Sequence, residues 1–596
     1  MILYHGRRGA RALLWFIGST ALLMSAPAGA QSGWHEDVTV TAATEPLSFD
    51  AQSRVVHVVT REQIARLPVR SVADALALVA AVDVRSRGAD GLQADFSIRG
   101  ASFGQTLVLV DGVRINDAQS GHHNGDIPVT LDDIERIEVL GGAGSSLHGA
   151  DALGGTINII TRRDRRAPRA VVGGGSFGTA DVAGTYDTRA LALSGTFARS
   201  DGFMYDRDYQ NGALSGSLAL GSHRVRVAWL DRAFGANGFY GASPSKEWTS
   251  QLLATVDRSR LPIGRWQASW RASARAHADR FLWNVTRPGV LENRHKSYGA
   301  GLSGQAEHAL GATTRLAIGG DGGGDWVRSS NLGDHAYGRG AAFAELRYQR
   351  ARTFITPAVR ADAYSDFGSA VSPSIAAGHW LGPVKLRGNA GHAFRVPTFT
   401  ELYYRDPNHI ASSDLRPEHA WSFEAGADVA ASATWLVGVT TFVRFEDDVI
   451  DWVRQTPQER WQTANIRDVT TRGVELTARR RLGEAGLADI SYVALDSDAP
   501  DLGLLSKYVL DYARHKVAMS LAAPVGAGLT AGARLGYTSR VDGREYTLID
   551  ARVGRTFGDF TFALDLRNLL DEDYQEIVGV DMPGRSGRVE VAWAPR

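Results

Sequence analysis

RWQASWRASARAHAD, residues 265–279, decides the fold. Trp266, Ala268, Trp270, Ala272, Ala274, Ala276 and Ala278 occupy every second place, and Gln267, Ser269, Arg271, Ser273, Arg275, His277 and Asp279 stand between them. Successive side chains of a strand point to opposite faces, so the run has one apolar face and one polar, charged face. HRVRVAWLD (223–231) sets Val225, Val227 and Trp229 against Arg224 and Arg226, and TLIDARVGRTF and FALDLRNLL repeat the pattern near the end. Soluble sandwiches alternate too, but over strands of about 5–6 residues. Strands of about 10 residues or more are what a tilted bilayer crossing needs. Lipid offers no hydrogen bonds to the backbone, so a sheet that spans it must close. The pattern predicts a transmembrane β-barrel, with Ala, Val, Leu and Trp toward lipid and Arg, Asp and Gln inside.

Alternation dominates from residue 168 to the end, and the texture before it differs. SVADALALVAAV (71–82) opens with a Ser71-x-x-Asp74 capping box and reads as a helix. TLVLVDGVRIND (106–117) reads as strand, Asp111-Gly112 turn and strand. LDDIERIEVL (131–140) is a helical turn leading into a strand, and GGTINIITRR (154–163) is another strand. Residues 48–165 therefore form an α+β unit, large enough to bury its own core. Sharing the remaining chain among 22 strands gives roughly 19 residues per strand and connection, and 16 strands give roughly 27. A unit with a radius of gyration near ~13 Å fits only the widest barrels, and those of about 22 strands are the plugged ones. The fold class expected is an all-β membrane protein: a 22-stranded antiparallel transmembrane β-barrel (168–596) with the α+β plug (48–165) in its lumen.

Residues 1–30 read as a signal peptide: Arg7, Arg8 and Arg11, the apolar run Ala12 to Met24, and Ala28-Gly29-Ala30 as the cleavage site. Lys and Arg number 65 and Asp and Glu 65, so there is no polybasic nucleic-acid signature. Cysteine is absent, which excludes disulfides and thiolate chemistry. No later apolar run is long enough for a helical span. Residues 31–47 form a short leading segment that carries EDVTVTA (36–42). Its alternating β-branched residues read as a strand with no hairpin signal to give it a partner.

FSIRGASFGQTLVLVDGVRIND (96–117), IERIEVLGGAGSSLHGADALGGTINIITRR (134–163), AFRVPTFTELYY (393–404), DLRPEHAWSFEAG (414–426), TTRGVEL (470–476) and LRNLLDEDYQEI (566–577) follow one another in a known order. The chain resembles a TonB-dependent outer-membrane receptor over essentially its whole length after residue 30. Asp37, Val38, Thr39, Val40, Thr41 and Ala42 resemble the family's TonB box. A segment of this kind adds as an edge strand to a partner's sheet. The resemblance implies TonB and its inner-membrane energising complex as partner, a monomer in outer-membrane lipid, and ligand-gated import. It implies no nucleic acid, no catalytic activity and no required cofactor.

The resemblance also implies a charge lock between plug arginines and barrel glutamates, matched here by Arg99, Glu424 and Glu475. Gly141 stands where the family usually has a second arginine, which leaves one glutamate in search of a partner. Arg136 is a candidate substitute, though its place in IERIEV suits a structural plug residue. Two plug loops are expected at the outer mouth. They offer Ser102, Phe103 and Gln105, and Gln119, Ser120, His122, His123 and Asn124, to the ligand. His122 and His123 with Asn124 and Asp126 also offer ligands to a metal or a metal-centred cargo. The second loop and FGANGFYGASPSKEWT (234–249) resemble the cobalamin branch, and a ferric siderophore stays open as the alternative cargo. Asp201, Asp206 and Asp208 in DGFMYDRDY alternate as carboxylates that suit Ca²⁺ on an extracellular loop, where cobalamin receptors use calcium.

Gly173 to Gly178 satisfies G-x-G-x-x-G, but strand rather than helix follows, so no dinucleotide site is expected. GGDGGGDW (319–326) reads as a glycine-rich strand and turn. A passive porin needs neither plug nor box, and no Ser–His–acid set supports a barrel enzyme. Trp593, three residues from the end, is expected to be the terminal aromatic read by the insertion machinery.

Overall fold

The computed structural model describes residues 52–595 except 467, 484 and 500–502, together with the strands Thr39–Val40 and Leu47–Ser48. The expected signal peptide, and Asp37, Val38, Thr41 and Ala42 of the expected box, lie outside the described residues.

A closed barrel of 22 antiparallel strands begins at Arg169–Gly175 and ends at Ser586–Trp593, and these two strands pair with each other. Trp266–Leu282, the strand that holds the opening motif, pairs with Lys246–Ile263 and Glu292–Ala309. Its Arg275, His277 and Asp279 are buried against the lumen contents. Val227, Trp229, Leu252, Leu302 and Phe562 are exposed on the outer face, an apolar surface that only lipid can cover. At one rim the strands are joined by connections of two to four residues. The opposite rim carries the long connections 396–417, 448–468, 499–512 and 568–585, so it is the outward one. Pieces of the first three build a five-stranded sheet above the barrel: Arg405–Asp406, His409–Ile410, Trp461–Ile466, Val449–Arg454 and Leu505–Ser506.

The plug is a five-stranded sheet in the spatial order Val56–Thr60, Ile134–Gly141, Gly155–Thr161, Thr106–Val110 and Val113–Arg114. The hairpin Val82–Ser86 with Ala94–Ile98 and the short helices Arg61–Arg66, Val72–Leu76 and Ser145–His148 surround it. Val59, Leu76, Ile98, Val108, Ile137 and Ile157 form its core, which continues into Leu253, Phe442, Val493 and Leu495 of the wall. Plug side chains meet wall strands around the whole circumference, so the unit sits in the lumen. That filling is at odds with a passive pore.

Three sequence expectations are corrected. The 71–82 helix is formed only over Val72–Leu76, behind the expected Ser71/Asp74 capping box. Leu78 to Val82 are all buried, so no polar face remains to sustain a surface helix, and the chain turns into the strand Val82–Ser86. Gly319 to Trp326 contains no turn and lies wholly within the strand Thr314–Ser329. The leading segment is not partnerless, because Thr39–Val40 pairs antiparallel with Leu47–Ser48.

Candidate functional site

Arg99 follows the strand Ala94–Ile98 with a positive φ of 51°, a backbone state that a non-glycine residue holds only when its surroundings enforce it. Its guanidinium donates to Glu424 Oε1 at 2.7 Å and to Glu475 Oε2 at 2.7 Å and 3.1 Å. All three side chains are buried. Asn389 donates a further bond to Glu424, and His57 contacts Glu475. The gap left at Gly141 thus has a physical answer: one arginine bridges both glutamates through its fork of donors. Arg136 does not substitute; it pairs with Glu138 inside the plug at 2.7 Å.

Most other ties between plug and wall have the opposite polarity, with the acid on the plug. Asp83 meets Arg540 at 3.0 Å, Asp74 meets Arg567 at 2.6 Å and Asp117 meets Arg275 at 2.7 Å. Asp126 meets Arg232 at 3.0 Å and Asp133 meets Arg226 at 3.2 Å. Burial alone would raise the Asp117 and Asp126 carboxyls. For Asp117, Arg275 leads the opposing effects; for Asp126, the neighbouring His123 and His277 lead, joined by Arg232, and both groups end below the ordinary range. Sequence reasoning missed these pairs. The inward arginines of 223–231 and 265–279 were legible as charges, but their plug partners lie about 100 residues or more away in the chain. It also missed Arg395, which joins Glu401 and Glu418 while Gln105 of the plug donates to Glu418 at 2.9 Å.

The mouth is built on two plug segments. Phe103–Gln105 and Gly121–Gly125 are single turns of 3₁₀ helix, started by Ser102 and Ser120. Of the expected ligand residues, Gln105, Gln119, Ser120, His123 and Asn124 are buried. Asn124 binds the Asp117 amide and the Phe103 carbonyl, and Ser120 caps its own turn. Ser102, Phe103 and His122 remain half-buried and reachable. Phe103 stacks on His122 at a centroid distance of 4.4 Å, and Tyr508 of the outer loop 499–512 stands edge-on to both at 5.2 Å and 5.6 Å. His122 Nδ1 lies 2.9 Å from Asp95 Oδ1. Burial keeps the His122 imidazole below its ordinary value despite the pull of Asp95. The two histidines diverge: His122 joins the aromatic cluster, while His123 turns to Asp126 and the wall's Asp279.

Asp201, Asp206 and Asp208 lie on the outer connection after Leu191–Ser200. Asp208 pairs with Lys246 at 3.2 Å. Among the described residues the three aspartates do not form a group with converging ligand atoms.

Residues 149–569 match the family model described as "TonB dependent receptor-like, beta-barrel", and residues 50–156 match "TonB-dependent Receptor Plug Domain". A protein named Vitamin B12 transporter BtuB from Vibrio vulnificus is 27% identical over 485 residues, 74% of each chain. One of the same name from Photobacterium profundum is 26% identical over 488 residues, covering 75% of this chain and 76% of the other. Among solved structures, the siderophore receptor PirA of Pseudomonas aeruginosa aligns with a TM-score of 0.70 at 20% identity, over 91% of this chain and 99% of its own. The ferric enterobactin receptor PfeA of the same organism aligns with a TM-score of 0.75 at 15% identity, over 94% and 100%. These structural likenesses speak to the fold alone.

Proposed function

The chain belongs to the TonB-dependent receptor family, and from that premise we propose that it binds a cobalamin-type corrinoid and imports it across the outer membrane, energised by TonB. A receptor of this family takes up small-molecule ligands; the choice of corrinoid is the finer part of the reading. The observation that carries it is the mouth cluster. Phe103, His122 and Tyr508 present a half-buried aromatic surface where plug loops and outer loops meet. Aromatic faces and edges suit a large, flat, partly apolar macrocycle. The sequence relatives named as vitamin B12 transporters support the same choice, over about three quarters of the chain.

In this reading the cargo docks on the cluster, the leading segment passes to TonB in the periplasm, and pulling shifts the plug. The Arg99–Glu424–Glu475 lock and the ring of acid–arginine pairs hold the plug against that load until it is moved. Equilibrium binding of cyanocobalamin and of a panel of ferric siderophores to the purified protein tests the cargo. Saturable one-to-one binding of cobalamin alone is expected. Binding of a ferric chelate with none of cobalamin overturns the corrinoid reading in favour of the siderophore one.

A further inference from the structure

Below the mouth, the plug turn Gly121–Gly125 faces a pair of acids on the wall that the lock and the acid–arginine ring leave unused. We propose that His123 of the plug and Glu247 and Asp279 of the wall bind one divalent transition-metal cation of the zinc class, which clasps the plug to the barrel. One ligand atom from each of the three lies within 4.8 Å of the other two. His123 Nε2 and Asp279 Oδ2 are 3.7 Å apart. That is too long for an N–H···O hydrogen bond. It is close to the ~3.4 Å that separates two ligands each ~2.1 Å from a tetrahedral ion.

The surroundings single these acids out. Glu247 is 2% exposed and Asp279 7%. Neither pairs with an arginine or lysine among the described residues, whereas Asp117 and Asp126 beside them hold Arg275 and Arg232. Asp279 Oδ1 accepts no hydrogen bond, and Glu247 accepts one at 3.0 Å from the Tyr240 hydroxyl. Two buried carboxyl groups and one imidazole offer oxygen and nitrogen ligands to a dication that displaces their protons. His295, buried, is the cross-strand neighbour of Asp279 on the inward face, with its Nδ1 2.7 Å from Ser329 Oγ. A nitrogen and oxygen set without thiolate favours Zn²⁺, Co²⁺ or Ni²⁺ over the softer Cu(I), and the imidazole favours them over Ca²⁺ or Mg²⁺.

Protons compete with a metal for imidazole and carboxylate ligands, so binding weakens as pH falls. The clasp is independent of which cargo the receptor carries.

The test uses the full-length protein without an affinity tag, stripped with chelator and titrated with Co²⁺ by visible absorption and with Zn²⁺ by calorimetry. One equivalent at pH 7.5 with the intense d–d bands of a low-coordinate Co²⁺ site is expected. Affinity should drop at least tenfold in His123→Gln, Glu247→Gln and Asp279→Asn, and also in the wild type at pH 5.5. His122→Gln should leave it unchanged. Each variant is first shown to keep a folded barrel by its heat-modifiable migration, and the wild-type pH arm stands if a variant fails to fold. Absence of a bound equivalent in the wild type overturns the proposal. So does an equivalent that survives both His123→Gln and Asp279→Asn.

Discussion

Gly141 lies against the guanidinium of Arg99: a Cβ placed on Gly141 would stand 2.6 Å from Arg99 Cζ. The residue that looks like a missing half of the lock is the space into which the other half spreads. Gly142, with φ of +74°, likewise leaves room for Glu424, whose Oε1 would be 2.1 Å from a Cβ there. Gly141→Ala should therefore displace Arg99 from one glutamate and cost about 1–3 kcal/mol of plug–wall stability. Hydrogen exchange of the plug strand 94–98 should rise, and an unchanged exchange profile would count against this account.

Arg99→Gln leaves Glu424 and Glu475 buried with no guanidinium between them. Loss of one partner of a buried pair costs about 3–5 kcal/mol. Urea-dependent labelling of the plug should move to lower denaturant, and adding Glu424→Gln and Glu475→Gln should recover part of the loss. If the triple variant is weaker than the single one, the lock is not the origin of the effect.

Phe103→Ala removes the central ring of the mouth cluster and leaves the lock intact. Loss of its stacking area should weaken cargo binding roughly tenfold, about 1.4 kcal/mol, within the range of aromatic contacts. Equal affinity in variant and wild type would place the cargo elsewhere.

Asp451 lies in the outer sheet strand Val449–Arg454 and is 2% exposed. Burial pushes its carboxyl up to about 6, against donors from Ser506 and the amides of Val509, Trp452 and Tyr508. A carboxyl raised in the folded state favours folding below its unfolded value near 4, and that advantage is lost as pH rises through about 6. The outer sheet should be more protected from exchange at pH 4.5 than at pH 7.5, after correction for intrinsic rates. Asp451→Asn should flatten the difference; a slope that persists in the variant would assign it to another group.

Val38→Pro should abolish energised uptake, since a proline deprives an added strand of a donor, while surface binding of cargo survives. Deleting Ala594, Pro595 and Arg596 should leave assembly intact, because the last strand already ends at Trp593, paired with Ala170 and Phe560. A truncated barrel that fails to insert would show the tail to be needed.

What the sequence made legible is what local periodicity encodes. The two faces of 265–279, the Asp111-Gly112 turn and the Ser71/Asp74 cap are short-range, and each is present in the fold. The strand number followed from the size of the unit to be enclosed, a global constraint that still needs no contacts. The acid–arginine ring was not legible. Arg275 announces an inward charge, but nothing near it in sequence says that Asp117 receives it. The two adjacent histidines looked equivalent, and only the curl of the 121–125 turn sends His122 to Phe103 and His123 to the wall.

The pairing of Thr39–Val40 with Leu47–Ser48 makes the leading strand a swappable part. In a two-stranded sheet each strand keeps one open edge, so an incoming strand can add there without breaking this ladder. Exchange into a longer sheet would instead replace these two pairs rung for rung, so only rungs beyond them would add to the grip.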